Sequence, residues 1–394
     1  MSREFEAFLA ISYLLDVNGG SCFQIWLYWI MKKLFSTSLA VICFAYSCQQ
    51  PETSSTPYEA AIAESSRMID SLMTAEKVPG IDVAVAINGE VVWSQGFGYA
   101  DLEHEAPVRA GYSLFRIGSV SKPITSAAMG TLMDAGQLDL TQPVQTYVPD
   151  FPEKRYPITV KQVGGHIGGI RHYRGQEMLS TAYYPTVTEG LNIFKDDTLL
   201  FAPGTKYSYS SYGFNLLSAV VEGASGQDFL PFVQKNVFDA LQMNHTTPDI
   251  NHQIIPGRVS FYDVDSLGNI VNATYVDNSY KWAGGGFISC TTDLIKFGEA
   301  HRTGTFLSDS VRSILLTSQT LADGKVTGYG MGWGVWEKNG RKGFGHTGGS
   351  VGGITDFRVY PKEGLILVLL SNSSVTKYGN VGDRIVELFL AGDK

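Results

Sequence analysis

Leu114-Phe115-Arg116-Ile117-Gly118-Ser119-Val120-Ser121-Lys122-Pro123 is the stretch on which the reading of this chain turns. Apolar residues precede a glycine, and a serine and a lysine then stand three apart. Beyond them Ile124, Ala127, Ala128, Met129, Leu132 and Met133 recur at helical spacing, and Gly136 follows where helices end. The spacing predicts a helix over 119–135. Pro123 lacks an N–H and is tolerated only near a first turn, so the helix cannot start much before Ser119. Residues three apart share a helix face, which brings the Lys122 amine within reach of the Ser119 hydroxyl. A hydroxyl with a base attached is a nucleophile. Ser374-Val375-Thr376-Lys377 repeats the spacing without the glycine turn or the long apolar helix, and is assigned nothing.

The chain has 394 residues, 44% hydrophobic and 17% charged, enough to bury a substantial core. A net charge of -8 without a Lys/Arg cluster argues against nucleic acid as a partner and leaves a small or peptidic substrate. Met31-Lys32-Lys33 and the short apolar run to Ser47 have the pattern of an export signal. The run closes in Ala45-Tyr46-Ser47-Cys48, similar to the lipobox of bacterial lipoproteins. Residues 31–48 then form a lipoprotein signal, Cys48 is the lipidated anchor, and 49–57 is a polar tether. The protein is expected in the periplasm or cell envelope, touching membrane only through that anchor. An incidental cysteine or an uncleaved anchor is the alternative. Residues 1–30 read as an over-extended start, or else as an additional apolar segment from Ile25 onward. Cys22, Cys43 and Cys48 lie in this leader, so Cys290 is alone in the body and reads as buried packing.

From Tyr58 to the C-terminus a single α/β (α+β) domain is expected. A helix over 60–76 precedes strands 81–87 and 91–96 joined by Asn88-Gly89, a tight-hairpin signal. Helices are expected near 214–223, 228–241, 293–301 and 308–316, and a surface excursion over 173–201. Strands follow at 329–336, 344–347, 355–360 and 365–370, then a helix over 381–390. The outline is an antiparallel sheet built from both ends of the domain, with flanking helices and a mostly helical insertion over about 119–290. Within it, Gly164-Gly165-His166-Ile167-Gly168-Gly169-Ile170-Arg171-His172-Tyr173 is glycine-dense. With no third ligand at metal spacing, His166 and His172 read as structural.

Taken in order, Ser119-x-x-Lys122, Tyr209-x-Ser211 and His346-Thr347-Gly348 resemble the three motifs of the serine β-lactamase and penicillin-binding-protein superfamily. Ala283-Gly284-Gly285-Gly286 and Tyr329-Gly330-Met331-Gly332-Trp333-Gly334 look like the class C-related branch that includes mitochondrial serine β-lactamase-like proteins. The resemblance implies a β-lactamase/transpeptidase-like fold and no metal or organic cofactor. It makes Ser119 the nucleophile of an acyl-enzyme, with Lys122 and Tyr209 sharing the proton transfers. The oxyanion would lie between the N–H groups of Ser119 and Gly349, and Ser211, His346, Thr347 and Gly348 would contact substrate. Lysine ordinarily titrates near 10.4, so Lys122 is a base only if its surroundings lower that value.

Two positions depart from the pattern. Ser211 stands where asparagine is usual, and His346 where a lysine usually carries a fixed charge. A histidine titrating near 6.5 would offer a partial charge that grows on acidification. An esterase, amidase or peptidase, D-alanyl peptides included, fits these departures better than a β-lactamase. The other functional class is a non-catalytic, penicillin-binding-type sensor or binding lipoprotein. Decoys for the later motifs, Tyr378-Gly379-Asn380 and Arg302-Thr303-Gly304, lie in the wrong context. The lipobox makes one expectation testable at once. Wild-type protein expressed in a Gram-negative host should sediment with membranes and Cys48→Ala should not; equal sedimentation of both would make the apolar run an uncleaved anchor.

Overall fold

The computed structural model describes residues 57–392, so the signal, Cys48 and residues 49–56 of the tether lie outside the described residues. The chain enters through helix α1 (Glu59–Glu76) and the strands β1 (Gly80–Ile87) and β2 (Glu90–Asp101). Asn88 and Gly89 between them have φ of 51° and 86°, the left-handed pair that a tight hairpin turn requires. The short strands β3 (Ala106–Pro107) and β4 (Phe115–Arg116) lead to helix α2 (Ser121–Asp134). The helices α3 (Val160–Gly164), α4 (Val187–Leu191), α5 (Ser211–Ser225) and α6 (Phe229–Val233) follow. Three short strands, β5 (Thr247–Pro248), β6 (Tyr262–Val264) and β7 (Ile270–Asn272), precede α7 (Trp282–Gly285) and β8 (Phe287–Ser289). The helices α8 (Thr291–Thr303) and α9 (Asp309–Leu316) then give way to strands β9 (Gly334–Lys338), β10 (Arg341–Ser350), β11 (Gly353–Tyr360) and β12 (Leu365–Ser371), and to α10 (Val381–Gly392).

The main sheet has the order β3-β2-β1-β12-β11-β10-β9. At its centre β1 pairs antiparallel with β12, Val83 opposite Leu369 and Val85 opposite Leu367, which joins the two ends of the domain as expected. Both strands are buried along their whole length, as strands covered on both faces must be. Alternation sends Val83, Val85, Leu367 and Leu369 to one face, where Ile69 and Leu72 of α1 and Ile385 and Phe389 of α10 cover them. It sends Ala84, Val368 and Leu370 to the other face, which shares its core with Leu294 and Phe297 of α8 and with the helical region beyond. Helix α2 lies at the centre of that region and is buried on nearly every side.

Three expected elements differ. The stretch 329–336 is strand only from Gly334, because Gly332 (φ 75°) turns the chain onto α2, where a Cβ on it would lie 2.8 Å from the Lys122 carbonyl oxygen. Trp333 is buried by that turn and stacks on Phe297 at 5.5 Å. The helix over 228–241 is α6 continuing into a wider π turn, Gln234–Asp239. The excursion 173–201 contains α4 and is tied down by the buried Arg171, which pairs with Glu177 at 2.7 Å and with Asp197. Cys290 is buried.

The β1–β12 seam should dominate stability. Leu367→Ala, at a site with no exposure, should lower unfolding free energy by about 2–5 kcal/mol in urea titrations, whereas Val91→Ala on the exposed edge of the hairpin should leave the midpoint unmoved.

Candidate active site

The approach to Ser119 is set by β4, which pairs with β8 and delivers the chain to Gly118. Gly118 has φ of 49° and opens a 3-10 turn, Gly118–Val120, that runs into α2. Ser119 therefore stands in a first turn, where backbone N–H groups have no partner within the helix. A Cβ on Gly118 would lie 2.7 Å from the Gly349 nitrogen, and one on Gly348 would lie 1.9 Å from the Ile117 carbonyl oxygen. Only glycines allow these two backbones to meet. Past Gly345, β10 pairs with β11 alone, so the edge bearing His346, Thr347, Gly348 and Gly349 borders Ser119. Ser119 is partly accessible, and Thr347 and Gly349 are exposed.

Lys122 is sealed, with no exposed surface. Its Nζ lies 3.0 Å from Ser119 Oγ, 3.1 Å from Ser211 Oγ and 2.6 Å from the Gly284 carbonyl oxygen. Burial, and then the charge of Lys281, hold its pKa well below the usual lysine value. A neutral amine has two N–H groups and one lone pair, which this surround satisfies. In that neutral form the N–H groups donate to Gly284 and Ser211, and a lone pair is left to take the Ser119 hydroxyl proton. The glycine run at 283–286 thus has a purpose that its composition did not disclose. A Cβ on Gly284 would press on Ser211 at 3.0 Å, and Thr125 Oγ1 on α2 anchors the run through the Ala283 carbonyl at 2.9 Å.

The Tyr209 phenol lies near the Ser119 and Ser211 hydroxyls. Its ring centroid is 4.8 Å from Lys122 Nζ. Burial pushes its pKa up, so the group holds its proton and can hand it on. The loop carrying it is pinned by both histidines read as structural. The Ser210 N–H donates to His166 Nδ1 and the Ser211 N–H to His172 Nδ1, each at 3.1 Å. Both rings must be neutral to accept, and burial keeps them so, His172 being lowered to about 4. Ser210 Oγ caps α5 by accepting from the Gly213 N–H at 3.0 Å. Ser211, the position expected to meet substrate, is 3% exposed and is engaged by Lys122.

His346 Nδ1 faces the Thr347 carbonyl, and Nε2 lies 2.9 Å from the Tyr329 hydroxyl. A carbonyl only accepts, so Nδ1 carries the hydrogen and Nε2 accepts from Tyr329. Burial pushes the pKa down to about 3. The partial charge expected near neutral pH is absent, because this ring titrates far below its ordinary range. The decoys lie elsewhere: Ser374 Oγ accepts from the Gly352 N–H, Tyr378 packs in the α1–α10 core and Arg302 pairs with Glu299. Among the described residues no group of three or more His, Cys, Asp or Glu could hold a metal.

A serine, a sealed lysine and a tyrosine between a helical region and the edge of an antiparallel sheet define the β-lactamase and penicillin-binding-protein class of fold. The chain belongs to the beta-lactamase family, whose model matches residues 66–391. It is 31% identical to the mitochondrial serine beta-lactamase-like protein LACTB of Mus musculus, over 81% of this chain and 77% of that one. It is 27% identical to penicillin-binding protein 4* of Bacillus subtilis (strain 168), over 79% and 72%. The octameric penicillin-binding protein homologue from Pyrococcus abyssi shares the fold, with a TM-score of 0.74 at 24% identity over 84% of this chain and 77% of that one.

Since His346 is uncharged above about pH 3, discrimination at this position between carboxylate-bearing and neutral leaving groups should be flat from about pH 5 to 8. His346→Lys should raise the kcat/KM ratio for carboxylate-bearing over neutral substrates several-fold. Identical ratios in both enzymes would remove residue 346 from substrate contact.

Proposed function

We propose that this chain is a serine hydrolase that opens ester, amide or peptide bonds through an acyl-enzyme on Ser119. The observation that carries this reading is the sealed Lys122 Nζ, held at 3.0 Å from Ser119 Oγ with its other two partners supplied by the protein. As Ser119 Oγ attacks the substrate carbonyl, its proton passes to Lys122 Nζ and the oxyanion forms against the N–H groups of Ser119 and Gly349. Each such donor contributes about 3–4 kcal/mol in comparable sites. Collapse of the adduct breaks the scissile bond, and the leaving group takes a proton from the Tyr209 phenol, which Lys122 replenishes. Water then enters and gives its proton to the same pair. Its oxygen bonds to the acyl carbon, and the acid departs as Ser119 regains its hydrogen.

The His346 flank supports a preference for uncharged leaving groups. A cleft of about 440 Å3 opens there, lined by Tyr207, Tyr209, Tyr329, Trp336, His346 and Tyr360. Its charged residues are already paired, Lys338 with Asp383 at 2.8 Å and Arg358 with Asp356 and Asp383, both at 2.7 Å. Aromatic walls without a free charge suit an apolar or aromatic group. With no fixed cation at 346 and Ser211 turned to Lys122, esters, amides and peptides fit better than β-lactams. On the basis of residues 31–48 alone, we place this activity at the cell envelope.

Intact-mass measurement with a fluorophosphonate tests the mechanism. Wild type and Ser374→Ala should each gain one adduct and Ser119→Ala none; a full adduct on Ser119→Ala would put the nucleophile elsewhere. Lys122→Met should slow adduct formation by about 10²–10⁴-fold, yet raise the thermal midpoint, because it removes an amine that favours water over this site.

A further inference from the structure

Lys281 takes no part in the scheme above. It ends the turn Ser279–Lys281 that feeds α7, three residues before the carbonyl that holds Lys122. The residue is only 3% exposed, yet among the described residues its ammonium makes neither a hydrogen bond nor an ion pair. What surrounds it is aromatic, the ring centroids of Tyr280 and Tyr173 lying 5.3 and 6.0 Å from Nζ.

The neighbouring carboxylate is already committed. Asp249 is sealed and accepts from Arg116 Nε at 2.7 Å, Arg258 Nη1 at 3.3 Å and Asn278 Nδ2 at 2.9 Å. Two guanidiniums share one carboxylate, and Lys281 adds a third cation beside them. The charged groups bearing on it are Arg116 and Asp249, and it in turn bears on Lys122. Lys122, with no exposure, has three polar partners, whereas Lys281, at 3%, has none. An ammonium left without an acceptor in a site this enclosed is a costly arrangement for a fold. Burial, and then the charge of Arg116, lower its pKa to about 7, and an anion brought beside it would restore the charged form.

Its place in the site is defined by a chain of rings. On one side of Tyr209 are His166 at 4.3 Å, then Tyr329 and His346. On the other are His172 at 5.7 Å, then Tyr173 and, beyond it, Tyr280 and Lys281. The Ser211 N–H donates to His172 Nδ1 at 3.1 Å, so this second run of rings also borders the Lys122 pocket.

We propose that Lys281 is the cation of a subsite that receives a carboxylate carried on the acyl part of the substrate. The assignment rests on the acyl-enzyme reading and on the cleft at His346 taking the leaving group. An anionic acyl group supplies the acceptor that Lys281 lacks, while the uncharged His346 flank holds the group that departs. The substrate class is then an ester or amide of a dicarboxylic or acidic acyl group with an uncharged leaving group.

The test compares p-nitrophenyl hexanoate with mono-p-nitrophenyl adipate, acyl groups equal in length that differ in a terminal carboxylate, on the full chain in detergent. Wild type should favour the adipate, and Lys281→Met should cut the adipate-to-hexanoate ratio of kcat/KM by about tenfold or more, with Lys281→Arg keeping most of it. Lys281→Gln serves if the methionine variant fails to fold. An equal fall for both esters, or an unchanged ratio, overturns the proposal. A second measurement is independent of turnover. In the Ser119→Ala chain, adipic acid monoamide should bind about tenfold tighter than hexanamide by calorimetry, and adding Lys281→Met should erase the difference. Binding that follows this pattern without hydrolysis of either ester would sink the hydrolase reading and leave Lys281 standing, whereas hydrolysis without any difference between the amides would do the reverse.

Discussion

The site depends on keeping one lysine amine dry. In water Lys122 would be charged and would hold no lone pair for the Ser119 proton. Sealing it costs stability, and the fold meets that cost by placing one acceptor, one hydroxyl and one donor around a group that has two hydrogens and one lone pair to satisfy. Each partner comes from a different segment: Gly284 from α7, Ser211 from α5 and Ser119 from the turn before α2. The packing of α2, α5 and α7 therefore sets both the basicity of the amine and the aim of the hydroxyl. The same dryness acts on the neighbours, keeping the Tyr209 phenol protonated and His346 uncharged. On the acyl-enzyme reading, one environment thus sorts the titrating groups into a base, a proton carrier and a neutral wall.

A second constraint is steric. The edge of β10 reaches Ser119 because Gly118 and Gly348 have no side chains to hold the backbones apart. Two stretches far apart in sequence meet main chain to main chain, and the distance between the N–H groups of Ser119 and Gly349 is fixed by peptide geometry and not by the rotamer of any side chain. That contact rests in turn on the β1–β12 seam, which sets the position of β10 two strands away.

Much of this was legible in the sequence, and the limits are physical. Pro123 and Gly136 bracketed α2, Asn88-Gly89 marked the β1–β2 hairpin, and alternating apolar runs gave the sheet, because these signals act within a few residues. The motif residues Ser119, Lys122, Tyr209 and His346 do converge. What escaped was set by distant partners. Nothing near Tyr329 discloses that Gly332 turns Trp333 away from the sheet onto α2. Nothing near Ser211 shows that Lys122 engages it, and nothing near His346 shows that its ring has lost its usual basicity. Lys281 left a trace, a charge set between Tyr280 and Trp282 just before a glycine run, but a lone lysine acquires meaning only once the absence of a counter-ion can be seen.

The central pairing of β1 with β12 also bears on how the molecule comes into being. The strand that completes the middle of the sheet is the last strand of the chain, and β10, which brings Gly349 to Ser119, is nearly as late. Contacts this distant in sequence make folding slow and place it late in synthesis. Ser119 and Lys122 thus emerge early but remain incomplete until the end of the domain has left the ribosome. A shortened chain would carry Ser119 and Lys122 without the strand edge that borders them, so the site is completed in one step, when the newest strand closes on the oldest.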